Sequence, residues 1–324
     1  MRAIVIERPG GPEVLELQDV PRPVAEPGWV LLKVEAFGLN RSELHLRRGQ
    51  ASYASFPRIP GIEAAGVVVE APGGEFAPGT QVMAMMGGMG RTFDGGYAEY
   101  VVVPATSAIP FTSALDWATL GAVPEMLQTA YGSLTVGVDA KDGDSLLIRG
   151  GTSSVGLAIA ILAKRRGMTV FSTTRRESNA ELLRSLGVDH VLIDDGAVAE
   201  QVRAVLPDGV NGAVELVGAP TVRDTLQATA VHGTVCFTGM LSDQWILPDF
   251  YPLAYLPNGV RLTAYFGEAA DLPAAVLQEF LDEVASGAVA LPIGRVYSLE
   301  ELPQAHHDME SGAVAGKLVV RVER

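Results

Sequence analysis

Between Leu146 and Gly167 the sequence runs LLIRGGTSSVGLAIAILAKRRG, and three kinds of local structure follow one another in it. An apolar segment, Leu146 to Ile148, stops at Gly150-Gly151. A turn of small residues comes next, and Val155 to Ala163 then alternates bulky and small residues as a buried helix does. Strand, glycine turn and helix in that order give a dinucleotide fingerprint its meaning. The turn lets backbone approach a pyrophosphate, and the helix amides and dipole hold its charge. The spacing Gly151-x-Ser153-x-x-Gly156 matches G-x-G-x-x-G with Ser153 at the middle glycine. Such a turn can also serve packing alone, so the next strand has to discriminate. On the nucleotide reading, Gly151, Thr152, Ser153, Ser154, Val155 and Gly156 form the phosphate cradle.

Thr169 to Thr173 reads as the second strand, and it ends in Thr174-Arg175-Arg176. A site that prefers NAD places an Asp or Glu roughly 20 residues past the fingerprint, to bond the ribose 2′-hydroxyl. Here that place holds an arginine, with a second beside it. A guanidinium offers a phosphate a planar fork of donors. Singly, either arginine would pass for a solvated surface residue. Together at the end of this strand, Thr174, Arg175 and Arg176 predict NADP(H) in preference to NAD(H).

The whole chain agrees with a globular enzyme of about two domains. Of its 324 residues 48% are hydrophobic and only 19% charged, which excludes a disordered chain. The formal charge of −14 argues against nucleic acid or an anionic membrane as the main partner. The single cysteine, Cys236, allows no internal disulfide and no multi-cysteine zinc site, and reads as a small buried hydrophobe. No apolar run approaches the roughly 18 residues that span a bilayer. The opening MRAIVIERPGG alternates like a strand and lacks a signal peptide's apolar stretch. A cytoplasmic protein is expected.

Up to about residue 110, short strands alternate with Gly and Pro: Arg2–Glu7, Trp29–Glu35, Ala64–Glu70, Gln81–Met86 and Tyr97–Val103. That pattern predicts a barrel- or sandwich-like β domain. A helix over Trp117–Leu134 follows, and βα units then repeat through strands His190–Ile193, Gly212–Val217, Gly233–Phe237 and Gly259–Tyr265. Regular alternation predicts a doubly wound parallel sheet with right-handed crossovers. The Met240–Asn258 segment is apolar and aromatic, suited to a partner surface or a packed loop. The last elements, from Leu272 to Val322, read as a return to the first domain. The expected division is 1–120 with 267–324 in one domain and 121–266 in the nucleotide-binding one.

The motifs AFGLNRSELHLRRG, PRIPGIEAAGVVVE, GGYAEYVVVPA, LQTAYGSL, GGTSSVG and GAVAGKLVVRV occur in order along nearly the full length. In these the chain resembles the zinc-independent quinone oxidoreductase (zeta-crystallin-like) branch of the medium-chain dehydrogenase/reductase superfamily. The resemblance implies a GroES-like, β-barrel-type catalytic domain split around a Rossmann domain, with nicotinamide and substrate in the cleft between them. It also implies site residues. Asn40 stands where zinc-free relatives carry an asparagine near the nicotinamide ribose and substrate, although Asn40-x-x-Glu43 equally has the form of a helix start. Thr129 matches a threonine facing the nicotinamide end. Lys317 matches a position near the cleft, with a surface lysine on an edge strand as the alternative. Glu63 and Glu215 read as structural or paired carboxylates, and His45 as a packing residue. Gly218, and Phe237-Thr238-Gly239-Met240, lie at carboxyl ends of strands, where open α/β sheets bind ligands.

Zinc-dependent relatives carry a Cys ligand motif, a Gly-His-Glu motif and a four-cysteine lobe. This chain has Leu39-Asn40 and Gly61-Ile62-Glu63 in the corresponding places, and no such lobe. Oxidising a simple alcohol needs a group to take its proton, a task that metals perform well. Passing hydride to an electron-poor acceptor needs binding, alignment and a few donors for the developing oxyanion. The expected activity is therefore zinc-free, NADPH-dependent reduction of a small quinone or α,β-unsaturated carbonyl. An enoyl-thioester reductase of the same branch and a non-catalytic NADPH-binding sensor are the alternatives. A homodimer built through the Rossmann domains is expected.

Overall fold

The structure is a computed structural model, and it describes residues 1–323. They fall into two compact units: Met1–Gln128 with the chain from Glu268 onward, and Thr129–Gly267.

The chain starts with a small antiparallel ribbon, β1 (Arg2–Val5) and β2 (Glu16–Asp19). The long strand β3 (Trp29–Gly38) leads into the short helix α1 (Arg41–Arg47). Then come β4 (Glu63–Glu70), β5 (Gln81–Met85), β6 (Tyr100–Pro104) and β7 (Ala108–Pro110). Alternation of buried and half-buried residues along β6 shows the period-2 pattern that placed these strands. The single helix expected over Trp117–Leu134 is in fact two, α2 (Trp117–Gly121) and α3 (Pro124–Gly132). Pro124 has no N–H for a helical carbonyl and occupies the first turn of a new helix instead. A wider π-type turn, Ser133–Gly137, extends α3.

The second unit alternates strand and helix: β8 (Ser145–Arg149), α4 (Ser154–Arg165), β9 (Thr169–Thr174), α5 (Ala180–Ser185), β10 (His190–Ile193) and α6 (Val198–Val205). It continues with β11 (Val210–Glu215), α7 (Val222–Gln227), β12 (Thr229–Phe237), the one-turn α8 (Pro252–Tyr255) and β13 (Arg261–Ala264). All six strands are parallel, in the order β10-β9-β8-β11-β12-β13. This is the Rossmann order, and it reverses direction between β8 and β11, the switch point at which such sheets bind ligands. Leu147, Phe171, Ala213 and Val235 from four of these strands are buried in one apolar cluster with helices α6 and α7.

The remaining elements are α9 (Ala274–Ser286), β14 (Ile293–Tyr297), α10 (Leu302–Ser311) and β15 (Lys317–Arg321). They complete the first unit's largely antiparallel sheet, ordered β14-β15-β3-β4-β5-β7, with β6 also on β3. Strand β15 thus lies between β14 and β3, in the interior of the sheet and not at its edge. Both helices end on a left-handed glycine, Gly287 and Gly312, as C-terminal caps commonly do.

Candidate functional site

In the Rossmann unit the fingerprint forms a tight turn between β8 and α4. Gly151 packs so closely that a Cβ there would lie 1.8 Å from Ser172 Oγ, and one on Gly156 would lie 2.8 Å from Gly150 O. Ser153 stands at the middle-glycine position for a visible reason. It is the N-cap of α4, accepting the Gly156 amide at 3.1 Å while its own hydroxyl donates to Gly150 O at 2.8 Å. The first amides of a helix have no intrahelical acceptor. With Gly156 satisfied by Ser153, those of Ser154 and Val155 are directed out of the helix end, beside half-exposed Thr152. A close-packed glycine cradle and a helix start with outward amides fit a pyrophosphate.

The strand ends around the turn are tied to it. Thr173 accepts the Gly150 amide on its side chain at 2.9 Å and the Gly151 amide on its carbonyl at 3.0 Å. Thr174 is buried and turns the chain by accepting the Arg176 amide at 3.2 Å. Arg175 and Arg176 are both exposed. On the far side of the switch point, buried Glu215 ends β11. It accepts hydrogen bonds from Val217 N, Gly218 N, Thr221 Oγ1 and Thr225 Oγ1 at 2.6–3.0 Å. Burial pushes its carboxyl above the ordinary range. It therefore shapes the loop that carries Gly218, whose φ of +117° and close approach to Gln244 O (2.6 Å from a would-be Cβ) suit only glycine. Gly239 and Thr238, after Phe237 and before half-buried Met240, both donate their amides to Glu215 O at 3.0 Å. Thr129, half-buried on α3, has its carbonyl bonded by Ser133 Oγ at 2.6 Å, and that hydroxyl lies 3.0 Å from Thr238 Oγ1.

Sequence reasoning passed over Arg149, and its signal was a charge at the end of an apolar strand. Its guanidinium is wholly buried and holds Asp194 through Nε and Nη2 at 2.5 and 2.7 Å, and Asp224 through Nη1 at 2.5 Å. Asp224 also accepts the amides of Val198 and Ala199 at the start of α6. One cation thus links β8, the end of β10, α6 and α7.

In the other unit Asn40 and Lys317, far apart in sequence, are in direct contact. Lys317 Nζ donates to Asn40 Oδ1 at 2.7 Å and pairs with Glu63 Oε1 at 2.8 Å, while Asn40 Nδ2 donates to the same Glu63 oxygen at 2.8 Å. Lys317 is 1% exposed, which disposes of a surface lysine. Burial alone would lower its ammonium pKa, but Glu63 and Glu125 outweigh that and hold it above the ordinary value. The helix-start form of Asn40 is also real, because its amide donates to Glu43 Oε2 at 3.0 Å. Asn40 thus starts α1 through its backbone, while its side chain is held by Lys317 and Glu63. Glu43 further accepts the Ile62 amide at 2.9 Å, and burial pushes its carboxyl up to about 7. His45 is buried on α1. Among the described residues, no group of three or more His, Cys, Asp or Glu is arranged to hold a metal ion, and no helix is long and apolar enough to cross a membrane.

Comparison with known proteins finds two family models. The alcohol dehydrogenase GroES-like domain matches residues 26–113 and the zinc-binding dehydrogenase model residues 186–320. A quinone oxidoreductase from Lama guanicoe is 31% identical over 99% of this chain and 97% of its own length. One from Rattus norvegicus is 30% identical with the same coverage. Among solved structures, a mycobacterial protein in complex with NADPH superposes with a TM-score of 0.87 at 28% identity over 99% of both chains. An NAD-dependent alcohol dehydrogenase gives 0.88 at 26% over the whole of both. The chain belongs to the medium-chain dehydrogenase/reductase superfamily, in its zeta-crystallin-like quinone oxidoreductase branch, and is an oxidoreductase of the NAD(P)-binding kind.

Proposed function

We propose that this protein is an NADPH-dependent, zinc-free reductase of quinones or α,β-unsaturated carbonyls. The observation that carries the reading is the close-packed glycine turn at the sheet's switch point, with two exposed arginines at the end of the adjacent strand. In this reading Gly151 to Gly156 hold the pyrophosphate, and Arg175 and Arg176 take the 2′-phosphate. Gly218, Thr238, Gly239 and Met240 border the rest of the dinucleotide, with Phe237 ending the strand before them. Bound NADPH supplies the hydride. Asn40 and Thr129 align the reacting groups, and Lys317 acts through Asn40. The contacts in the first unit support a zinc-free site, because Asn40 and Glu63 hold each other and an ammonium instead of a metal. We further propose a homodimer, in which two Rossmann units cover each other's exposed apolar segment.

Oxidation of NADPH by 9,10-phenanthrenequinone and by a simple enone tests the activity. Turnover should persist unchanged in EDTA, and ethanol should give no NADP reduction. Loss of turnover on chelation would count against the zinc-free site. For the cofactor, a charge-assisted hydrogen bond contributes about 1.5–3 kcal/mol, and solvent holds an exposed pair near the low end, so NADPH should bind about 10- to 100-fold tighter than NADH. Arg175→Ala/Arg176→Ala should remove most of that difference. Equal dissociation constants for the two cofactors in the native protein would refute the NADPH assignment.

A further inference from the structure

An asparagine amide looks much the same from either end until its neighbours distinguish oxygen from nitrogen. Around Asn40 they do. Lys317 Nζ has only hydrogens to offer and lies 2.7 Å from Oδ1, while Glu63 Oε1 lies 2.8 Å from Nδ2 as its acceptor. Lys317 and Glu63 also pair with each other at 2.8 Å, so the three side chains close a ring. The ring is anchored from outside. Glu63 Oε2 accepts the Glu125 amide at the start of α3 at 2.8 Å. Gly38 leaves room for it, since a Cβ there would fall 2.2 Å from Lys317 Cε and 2.6 Å from Glu63 Oε1. Lys317 and Glu63 are 1% and 0% exposed, whereas Asn40 retains 8%.

This geometry restricts what the Asn40 amide can offer. Its oxygen is committed to a cation and one Nδ2 hydrogen to a carboxylate. The second Nδ2 hydrogen is what remains to donate, and an ammonium on the oxygen polarises the amide and strengthens that donor. A quinone or enone carbonyl can only accept, and negative charge builds on its oxygen as hydride arrives elsewhere in the molecule. We propose that Lys317 and Glu63 are positioning residues that fix Asn40 as a hydrogen-bond donor to the acceptor's carbonyl oxygen. The proposal rests on the reductase reading given above.

Lys317→Met alone would leave a buried carboxylate unpaired and could unfold the protein. The test therefore uses Glu63→Gln/Lys317→Met, which removes both charges, alone and combined with Asn40→Ala. Asn40 is one of four asparagines, so asparagine-selective 15N labelling gives an assignable side-chain amide signal, identified by its loss in Asn40→Ala. In the native protein its two protons should be well separated and slow to exchange, and in the charge-free pair they should move toward free-amide positions. kcat for quinone reduction should fall about tenfold in that pair, the equivalent of one net hydrogen bond, with the NADPH dissociation constant changed less than about threefold. Adding Asn40→Ala should then lower kcat by no more than about twofold, because the two changes act through one amide. An unaltered amide signal, an unaltered kcat, or equal cost of Asn40→Ala in both backgrounds would overturn the proposal. Native protein that binds NADPH but reduces no quinone or enone would instead refute the reductase reading. The amide signal would still decide whether the pair orients Asn40.

Discussion

Two buried residues of the first unit bring opposite pH dependences into the fold. Burial, with the Arg47 charge adding to it, pushes the imidazole of His306 down to about 3. Arg47 can only donate, so Nδ1 of His306 accepts from Nη1 at 3.1 Å and Nε2 carries the proton facing Tyr97 OH, also at 3.1 Å. A histidine held neutral in the fold but titrating near 6.5 when unfolded makes the unfolded state bind more protons between about pH 3 and 6.5. Its contribution is therefore present above 6.5 and lost as pH falls toward 3. Glu43 does the reverse. With its carboxyl at about 7 in the fold, it favours the native state at low pH and loses that advantage as pH rises from about 4.5 to 7. The two trends offset each other near pH 5–6, so the native protein alone would hide both. Subtracting a variant exposes one. The unfolding free energy of native protein minus that of His306→Gln should grow by about 1.4 kcal/mol per pH unit between pH 4 and 6. Urea titrations at the two ends of that window measure it, and a flat difference would mean that His306 is not held neutral. Neither group's shifted titration was legible in the sequence. A buried charge depends on partners brought in by the fold, and Arg47 and His306 stand 259 residues apart.

At the scale of elements, period and punctuation located most strands and helices, and the sharpest failures mark places where long-range contact overrode local pattern. Strand His190–Ile193 was readable to the residue, because its short apolar run is bounded by turn residues. The run Trp117–Leu134 does not form one helix because Pro124, which lacks an N–H, ends the first helix and begins the second. The serine in the fingerprint was legible as a departure but not as a helix cap, since its two bonds exist only once the turn has formed. Arg149 ties several elements together. It joins Asp194 beyond β10 to Asp224 on α7, and through Asp224 it fixes the start of α6. Arg149→Met would leave two largely buried carboxylates facing each other without a cation, a loss of about 3–5 kcal/mol by comparison with other broken buried pairs. Arg149→Met/Asp194→Asn/Asp224→Asn removes the whole triad and should recover much of that loss. Urea unfolding of the three proteins checks the order: native, triple variant, then single variant as the least stable. A single variant as stable as the native protein would show that the triad contributes only packing.

At the scale of the whole molecule, the Rossmann unit exposes apolar surface that a lone chain would leave in water. Trp245, Ile246, Phe250, Tyr251 and Leu253 lie within one nine-residue stretch and are 38%, 74%, 39%, 61% and 85% exposed. Large side chains gathered this way, as opposed to scattered singly, mark an interaction surface. The segment leads directly into β13, the last strand of the sheet order, whose outer edge has no partner strand among the described residues. An open edge beside an apolar patch invites a second strand, and a two-fold axis lets two copies cover both features at once. The occupant proposed is therefore a second copy of this chain. Light scattering at micromolar concentration should give about twice the 34.1 kDa of one chain. Tyr251→Asp/Leu253→Asp introduces two charges into the patch and should give the single-chain mass. It should leave NADPH affinity nearly unchanged, since both residues lie away from the fingerprint and Arg175-Arg176 in sequence and on the fold's exposed segment. A single-chain mass for the native protein would refute the dimer and leave the exposed segment unexplained. A dimer that survives both aspartates would place the interface elsewhere on the molecule.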